Sequence, residues 1–140
     1  MRCTMNPMPA QIRLNIKSDP ANLAGARLAI ERLCFEHGFE RKACDEIGLC
    51  VNEAMANVIR HAYSGATDQP IEVSAAIKDD RVRIEIRDWG NGVDPLSRPP
   101  KPPNPLRPGG LGLVCLKQMM HELEFVPQPD GMLLKMTRKK

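Results

Sequence analysis

The sequence predicts an α+β domain, a two-layer α/β sandwich in which helices cover one face of a mixed, mostly antiparallel sheet. Three observations predict it. Alternating apolar and polar runs of strand length recur along the chain, helical apolar stripes lie between them, and the later strands are joined in pairs by short turns. Hairpin-linked strands interleaved with helices are typical of such sandwiches.

Size and composition are those of one globular domain. The chain has 140 residues, of which 42% are hydrophobic and 26% are charged. This length is sufficient for one core without metal or disulfide support, and the composition excludes disorder throughout. We therefore expect a single domain over residues 1–140. The formal charge of +3 is too small to indicate a nucleic-acid-binding protein.

The cysteines and the apolar runs bear on the cellular compartment. The five cysteines are odd in number and none are spaced as CxxC, so we expect reduced thiols in the core. No apolar run approaches the roughly 18 residues of a membrane span. The N-terminal segment lacks the apolar centre of a signal peptide. The expected location is cytoplasmic, with no membrane partner.

The first half of the chain predicts a strand and two helices. Residues Gln11 to Lys17 alternate between polar and apolar side chains, which predicts a half-buried strand. Asp19 is suited to cap a helix and Pro20 to occupy its first turn, and we expect this helix to end at Gly38. A second helix is predicted from Arg41 to Ala62. Its apolar stripe consists of Ile47, Val51, Ala54, Val58 and Ala62.

The second half predicts two hairpins. After a polar loop, two alternating runs joined by Asp79-Asp80 predict the first: Ile71 to Lys78 and Arg81 to Asp88. Two further runs predict a closing hairpin around Asp130-Gly131: Glu122 to Val126 and Met132 to Thr137.

A proline-rich segment separates the hairpins. Residues Pro95 to Pro108 contain seven prolines and no apolar periodicity, so they can neither pair in a sheet nor continue a helix. They form either an interdomain linker or a lid over a binding site. The chain after them is too short for a second domain, which favours a lid over about residues 93–109. A helix is predicted after it, ending at His121.

Three polar side chains recur on one side of the second predicted helix. Glu53, Asn57 and His61 are spaced four residues apart, so they project from the same side and border the apolar stripe. A carboxylate and a carboxamide at such an edge need polar partners. Ordinary polar residues at the surface of a helix or at the boundary of its buried face also form such pairs, so this pattern alone does not identify a site.

Asp88 ends the second strand of the first hairpin in its inward phase. The rest of that phase is apolar: Val82, Ile84 and Ile86. Burying an unpaired carboxylate is costly, and an adenine amino group entering a pocket would be a suitable donor. Gly90 and Gly92 allow the backbone to approach a ligand. The alternative is a strand that simply ends in an Asx turn.

A glycine run follows the predicted lid. Gly109-Gly110-Leu111-Gly112-Leu113 opens a helix, and free amides at a helix N-terminus favour an anion such as phosphate. Arg107 lies just before this run. The run lacks the Lys and the Ser or Thr of a P-loop and the upstream strand of a dinucleotide fingerprint. Alone it is weak evidence.

Taken in this order, the three patterns resemble the N, G1 and G2 boxes of the GHKL superfamily, whose members share the Bergerat ATP-binding fold. They are Glu53-x-x-x-Asn57, Asp88-x-Gly90-x-Gly92 and Gly110-x-Gly112. The stretch from Val51 to Tyr63 is similar in particular to the N box of bacterial anti-sigma factor serine/threonine kinases. A histidine kinase would also need a dimerising helix pair with a phosphoacceptor His, for which this chain has no room.

The resemblance implies that the protein binds ATP and Mg²⁺. It assigns Asn57 to the Mg²⁺ ion and Asp88 to the adenine amino group, with Gly90 and Gly92 letting the backbone approach the base. The phosphates would contact Arg107 and the glycine run: Gly109, Gly110, Leu111, Gly112 and Leu113.

The resemblance also implies a protein kinase, with Glu53 as the general base toward a Ser or Thr hydroxyl. One partner would be an anti-sigma factor antagonist, a STAS-type protein that the kinase phosphorylates. The other would be a sigma factor or equivalent target, which the kinase sequesters in a partner switch. A homodimer is compatible with the resemblance.

One departure from the family pattern keeps an alternative open. Many members have a Thr just after the Gly that opens the last strand, whereas here Gly131 is followed by Met132, and Thr137 lies farther along. The alternative is a non-catalytic, nucleotide-gated binding protein of the same fold. A hydrolytic ATPase is less favoured, because the chain is too short for a transducer domain.

Overall fold

The computed structural model describes residues 10–93 and 112–140. Five strands form one sheet in the order β1-β2-β3-β5-β4. Their bounds are β1 Gln11–Lys17, β2 Pro70–Lys78, β3 Arg81–Asp88, β4 Glu122–Gln128 and β5 Gly131–Lys139. The helices are α1 Leu23–Glu36, α2 Arg41–Asn57 and α3 Gly112–Met119.

The α+β prediction is confirmed, with one difference in the sheet. Every strand pairing among the described residues is antiparallel, so the parallel component of the expected mixed sheet is not seen there. The two predicted hairpins account for part of this, since β2–β3 and β4–β5 are each joined by a two-residue turn. β5 then inserts between β3 and β4.

The core lies between the helices and one face of the sheet. Alternate residues of each strand point toward the helices, and the central strands contribute the most deeply buried side chains. The strand residues below 2% exposure are Ile71, Val73, Val82, Ile84, Ile86 and Met136. The opposite face carries polar and charged side chains such as Arg13 and Glu72. This alternation is the period-two pattern from which the strands were predicted.

The first helical segment begins as predicted but changes its winding. Asp19 caps it, because its carboxylate accepts a hydrogen bond of 2.9 Å from the Ala21 amide. The first turn, Pro20–Asn22, is 3₁₀-helical, and α1 follows it. The helix ends at Glu36, two residues before the predicted Gly38, which adopts a φ of +92° in the turn to α2.

The second helix is interrupted at the predicted functional residues. α2 ends at Asn57, and the chain continues as one wider π-helical turn, Val58–Ala62. The Tyr63 amide donates to the Val58 carbonyl at 3.0 Å, a five-residue step. The predicted helical bounds, Arg41 to Ala62, are therefore confirmed, whereas the π winding of the last turn was not predicted. π-turns of this kind are often found at functional sites.

The third helix is shorter than predicted, because its end is tied to the sheet. α3 ends at Met119 instead of His121, and the His121 amide donates to the Thr137 carbonyl at 2.8 Å. Arg138 donates to the Met119 carbonyl at 2.7 Å and to Glu46 Oε1 at 3.1 Å. One guanidinium from β5 thus joins the end of α3 and the first half of α2 to the sheet.

The cysteines of the described residues are reduced, as predicted. Cys34, Cys44 and Cys50 are buried, Cys115 is half-buried, and all four are free. Burial raises the pKa of the Cys34 and Cys50 thiols to about 12, so these thiols remain protonated at neutral pH. Cys3 lies outside the described residues.

No helix in the described part of the chain is long and apolar enough to cross a membrane. The predicted lid lies outside that part except for Val93, which is exposed.

Candidate functional site

A pocket opens where the end of α2, the end of β3 and the start of β5 meet. Its floor is apolar and consists of Ile86, Leu116, Phe125, Met132 and Leu134. Its polar lining residues are Asn57, His61, Asp88 and Asn91. The sequence analysis selected Asn57, Asp88 and Gly92 among the lining residues. An apolar cavity with few polar groups is typical of a small-molecule site.

Asp88 places a carboxylate in this apolar floor. The residue is 4% exposed, and its Oδ1 accepts a hydrogen bond of 2.9 Å from the Gly90 amide. Burial raises the pKa of the Asp88 carboxyl above its ordinary value of 3.8, although the Gly90 amide, Arg87 and the Met132 amide oppose the shift. The Asx turn considered as an alternative is present. It coexists with a carboxylate that lines the pocket, so the two interpretations do not exclude each other.

Asn57 lines the pocket and shares one cation with Glu53, which lies one helical turn earlier on α2. Arg60 Nη2 donates to Asn57 Oδ1 at 2.8 Å and lies 3.8 Å from Glu53 Oε2. The predicted placement of Glu53 and Asn57 on one side of the helix is consistent with this shared contact. Glu53 itself does not line the pocket. Arg60 was not among the residues selected from the sequence.

Glu53 has a buried oxygen without a hydrogen bond. Its Oε2 is fully covered and accepts no hydrogen bond within the described residues, while the side chain as a whole is 22% exposed. Buried carboxylate oxygens normally have a donor. This atom therefore has an acceptor position that no described donor uses, with Arg60 Nη2 3.8 Å away.

The π-turn is attached to the segment after β3 by Asn91. Asn91 Nδ2 donates to the His61 carbonyl at 2.9 Å, and the Asn91 amide donates to the Ala62 carbonyl at 3.3 Å. Gly90 packs beside the same turn: a Cβ there would come within 3 Å of the Ala62 backbone and side chain. Gly90 does not line the pocket, so packing against the π-turn is sufficient reason for a glycine at that position.

Tyr63 makes the second attachment between the π-turn and β3. Its hydroxyl donates to the Pro70 carbonyl at 2.6 Å and accepts from the Trp89 amide at 2.8 Å. The residue is 8% exposed. Tyr63 thus fixes the position of the helix carrying Asn57 relative to the strand carrying Asp88. Sequence analysis quoted this tyrosine only as part of a motif, because its partners are not close in sequence.

The opposite wall includes Met132, which follows Gly131 at the start of β5. Gly131 has a φ of +130°, and a Cβ there would collide with the Asp88 carbonyl. Arg87 stabilises this close approach of Gly131 to Asp88, since its guanidinium donates to the Asp88 carbonyl and contacts Asp130 Oδ1 at 2.6 Å. Met132 pairs with Asp88 in the sheet and lines the pocket. Thr137 lies near the other end of β5 and cannot replace a Thr at this wall.

The remaining predicted ligands are only partly described. Gly112 is the first residue of α3, and Leu113 packs against the core. Gly92 lines the pocket with a φ of +72°, a left-handed conformation that favours glycine. Four predicted phosphate ligands lie outside the described residues: Arg107, Gly109, Gly110 and Leu111.

Comparison with known families agrees with this geometry. The profile of the histidine kinase-like ATPase domain matches residues 16–138. The chain belongs to this family. The recognition of a histidine kinase-like ATPase domain is thereby confirmed, and membership in this family implies that the protein binds ATP.

Curated relatives match over nearly their whole length. The chain is 25% identical to the serine-protein kinase RsbW of Listeria monocytogenes, with 96% of this chain and 90% of the relative covered. It is 26% identical to the anti-sigma F factor of Oceanobacillus iheyensis, with 94% of each chain covered.

Solved structures support the fold. A structure of the RsbU and RsbW domains of a Mycobacterium tuberculosis protein has a TM-score of 0.68 at 19% identity, over 92% of this chain and 32% of that one. The histidine kinase domain of a blue-light activated kinase from Erythrobacter litoralis has a TM-score of 0.58 at 19% identity, over 86% of this chain and 60% of that one. At these identities the likeness concerns the fold alone.

Replacing Tyr63 with Phe tests the attachment between α2 and β3. The variant removes the hydroxyl and leaves the Trp89 amide and the Pro70 carbonyl without that partner. We expect the free energy of unfolding, measured by urea denaturation, to fall by about 1–3 kcal/mol. Thr67→Val, which removes an exposed hydroxyl from the intervening loop, should change it by about 0.5 kcal/mol or less. Equal stability of the Tyr63 variant and the wild type would contradict this role.

Proposed function

We propose that this protein is an ATP-dependent serine/threonine protein kinase of the anti-sigma factor type. It transfers a phosphoryl group from ATP to a Ser or Thr of an antagonist protein, and in its other state it binds a sigma factor or an equivalent target. The observation that carries the proposal is one pocket lined by the buried acid Asp88 and by Asn57, which shares Arg60 with Glu53. The names of the relatives support the same activity.

Asp88 recognises the base in this proposal. The adenine amino group donates to its carboxylate, and the apolar floor covers the ring. A carboxylate already held by backbone amides is preorganised for one further donor, so little reorganisation accompanies binding. Gly92, at a positive φ beside the base, lets the backbone come close without a Cβ in the way.

Asn57 is the proposed protein ligand of Mg²⁺. This ion usually keeps several waters and binds through one or two protein oxygens together with substrate phosphates. The side-chain oxygen of Asn57 at the pocket mouth fits a metal that arrives with the nucleotide. When bound, the ion would neutralise charge on the phosphates. The predicted phosphate ligands Arg107 and Gly109 to Leu113 complete this assignment as a proposal.

Glu53 is the proposed general base. Its Oε2 lacks a hydrogen bond and shares Arg60 with the proposed metal ligand Asn57, which supports a base close to the proposed metal. In the reaction, Glu53 Oε2 takes the proton of the substrate hydroxyl as the hydroxyl oxygen bonds to the transferred phosphorus and the bond to ADP breaks.

The partners proposed are a STAS-type anti-sigma factor antagonist and a sigma factor, with a homodimer compatible with both. A second candidate is the nucleotide-gated binding protein without kinase activity. The specific observation that favours it is Met132, an apolar side chain beside Asp88 where many family members have a Thr. Stoichiometric binding of the antagonist without transfer of phosphate from ATP would identify this second function.

Replacing Glu53 with Gln tests the general base. We expect transfer of radiolabelled phosphate from ATP to a STAS-type antagonist to fall by about 100-fold or more, while ATP affinity changes by less than about threefold. The matched control is Glu85→Gln, on the open face of the sheet away from the pocket, which should transfer phosphate normally. Normal phosphate transfer by the Glu53 variant would contradict the assignment of Glu53 as the general base.

Titrating the pH tests the role of Asp88. Because burial raises the pKa of this carboxyl above 3.8, it gains a proton at a higher pH than an ordinary aspartate. Protonation of Asp88 stabilises the folded state, and this contribution is complete when the pH is below the pKa of the carboxyl in the unfolded chain. The contribution is lost as the pH rises through the pKa of the carboxyl in the folded state. Protonation of Asp88 removes the charged acceptor for the adenine amino group. We therefore expect ATP affinity to fall as the pH is lowered through the pKa of Asp88 in the folded state.

Asp88→Asn supplies the control for this titration. The phosphates of ATP also titrate, and their effect is common to both proteins. We expect calorimetric titrations from neutral to acid pH to show an acid loss of affinity in the wild type that is missing from the weaker-binding variant. Parallel pH profiles for the two proteins would remove Asp88 from base recognition.

A further inference from the structure

Arg60 occupies the place where the proposed metal would act. Its Nη2 donates to Asn57 Oδ1 at 2.8 Å and lies 3.8 Å from Glu53 Oε2. One guanidinium therefore contacts both the proposed metal ligand and the proposed general base. The proposed function assigns this residue no role of its own, yet it puts a positive group of the chain itself against Asn57 and near Glu53.

Helix geometry explains why Arg60 reaches both side chains. It follows Asn57 by three residues and Glu53 by seven, spacings that bring side chains to the same side of a helix. The winding changes from α to π between Asn57 and Arg60, so the two side chains belong to different turns of one continuous segment. The Arg60 side chain is 38% exposed, and it can turn toward solvent without disturbing the core.

Arg60 and a metal ion cannot both occupy this position comfortably. A magnesium ion binds its oxygen ligands at about 2.1 Å, whereas the guanidinium nitrogen is 2.8 Å from the same Asn57 oxygen. Two cations sharing one oxygen would lie within about 5 Å of each other and repel. Binding of the metal to Asn57 therefore requires the guanidinium to move away.

We propose that Arg60 is a resident cation of the empty site, which holds Asn57 and Glu53 in position and is displaced when Mg²⁺ binds with the nucleotide. Arg60 is a positioning residue in this scheme, since it acts through Asn57 and Glu53. Its displacement raises the Mg²⁺ concentration needed for nucleotide binding. The inference rests on the proposed function, because it takes Asn57 as the metal ligand.

The main test measures the Mg²⁺ requirement of nucleotide binding rather than kinase activity. Binding of a non-hydrolysable ATP analogue is titrated with Mg²⁺ for the wild type and Arg60→Gln. A partly exposed charged contact is weak, so we expect the half-saturating Mg²⁺ concentration to fall by about threefold in the variant. Arg32→Gln removes the same charge from an exposed ion pair with Glu36 on α1 and should leave this concentration unchanged.

A second variant separates displacement from simple charge repulsion. Arg60→Lys keeps the positive charge but replaces the guanidinium, whose Nη2 contacts both side chains, with an ammonium of different geometry. We expect it to lower the Mg²⁺ requirement as Arg60→Gln does. A Lys variant identical to the wild type would assign the effect to charge alone and overturn the displacement.

Nuclear magnetic resonance gives a readout that does not depend on affinity. In the metal-free wild type, the Asn57 side-chain amide signals should shift on Arg60→Gln. They should also shift on adding Mg²⁺ with the ATP analogue, and the Arg60 guanidinium signal should then move toward that of a solvated arginine. An Arg60 signal that is unchanged by Mg²⁺ and the analogue would contradict the proposal.

The outcomes distinguish this inference from the proposed function. A folded wild type that does not bind the ATP analogue with Mg²⁺ would remove the proposed function and this inference together. Normal Mg²⁺-dependent binding by the wild type, with an unchanged Mg²⁺ requirement in Arg60→Gln, would remove only the inference.

Discussion

Asp88 is held as a carboxylate in an apolar pocket floor, and the surrounding architecture follows from that constraint. The side chain is 4% exposed and its pKa is raised by burial, so the charged form is tolerated only with donors in fixed positions. The amides of Gly90 and Met132 supply them. Both require close approach of neighbouring backbone, which explains the glycine at position 131 beside the Asp88 carbonyl.

The pocket also depends on a fixed distance between Asp88 and the end of α2. Tyr63 and Asn91 hold the segment after β3 against the π-turn. The carbonyls of His61 and Ala62 can accept from Asn91 because they lie at the end of the helical segment, where carbonyls have no partner within the helix. Asp88, the proposed base-binding residue, and Asn57, the proposed metal ligand, are thereby attached to each other through the fold. The π-turn also contains Arg60. The residue that contacts Asn57 and Glu53 therefore belongs to the same segment that Asn91 attaches to the end of β3.

Much of this could be predicted from patterns that are local in sequence. The inward phase that ends in Asp88 correctly predicted a buried acid, and the four-residue spacing correctly placed Glu53 and Asn57 together. The contacts of Tyr63 and Asn91 could not be predicted, because Tyr63 and Trp89 lie far apart in sequence and meet only through the fold. The π-turn was missed since its apolar spacing is compatible with an α-helix. Arg60 was not selected because a charged residue on a helix is most often merely solvated.

The central claim is that the pocket takes ATP with a metal held by Asn57. Calorimetric titration with ATP, in the presence and absence of Mg²⁺, tests it most directly when the wild type is compared with Asn57→Ala. The matched control is Asn52→Ala, on the same helix but outside the pocket lining. The account predicts Mg²⁺-dependent binding in the wild type and the control, and its loss in the Asn57 variant. Equal Mg²⁺-dependent binding in all three proteins, or no binding by the folded wild type, would contradict it.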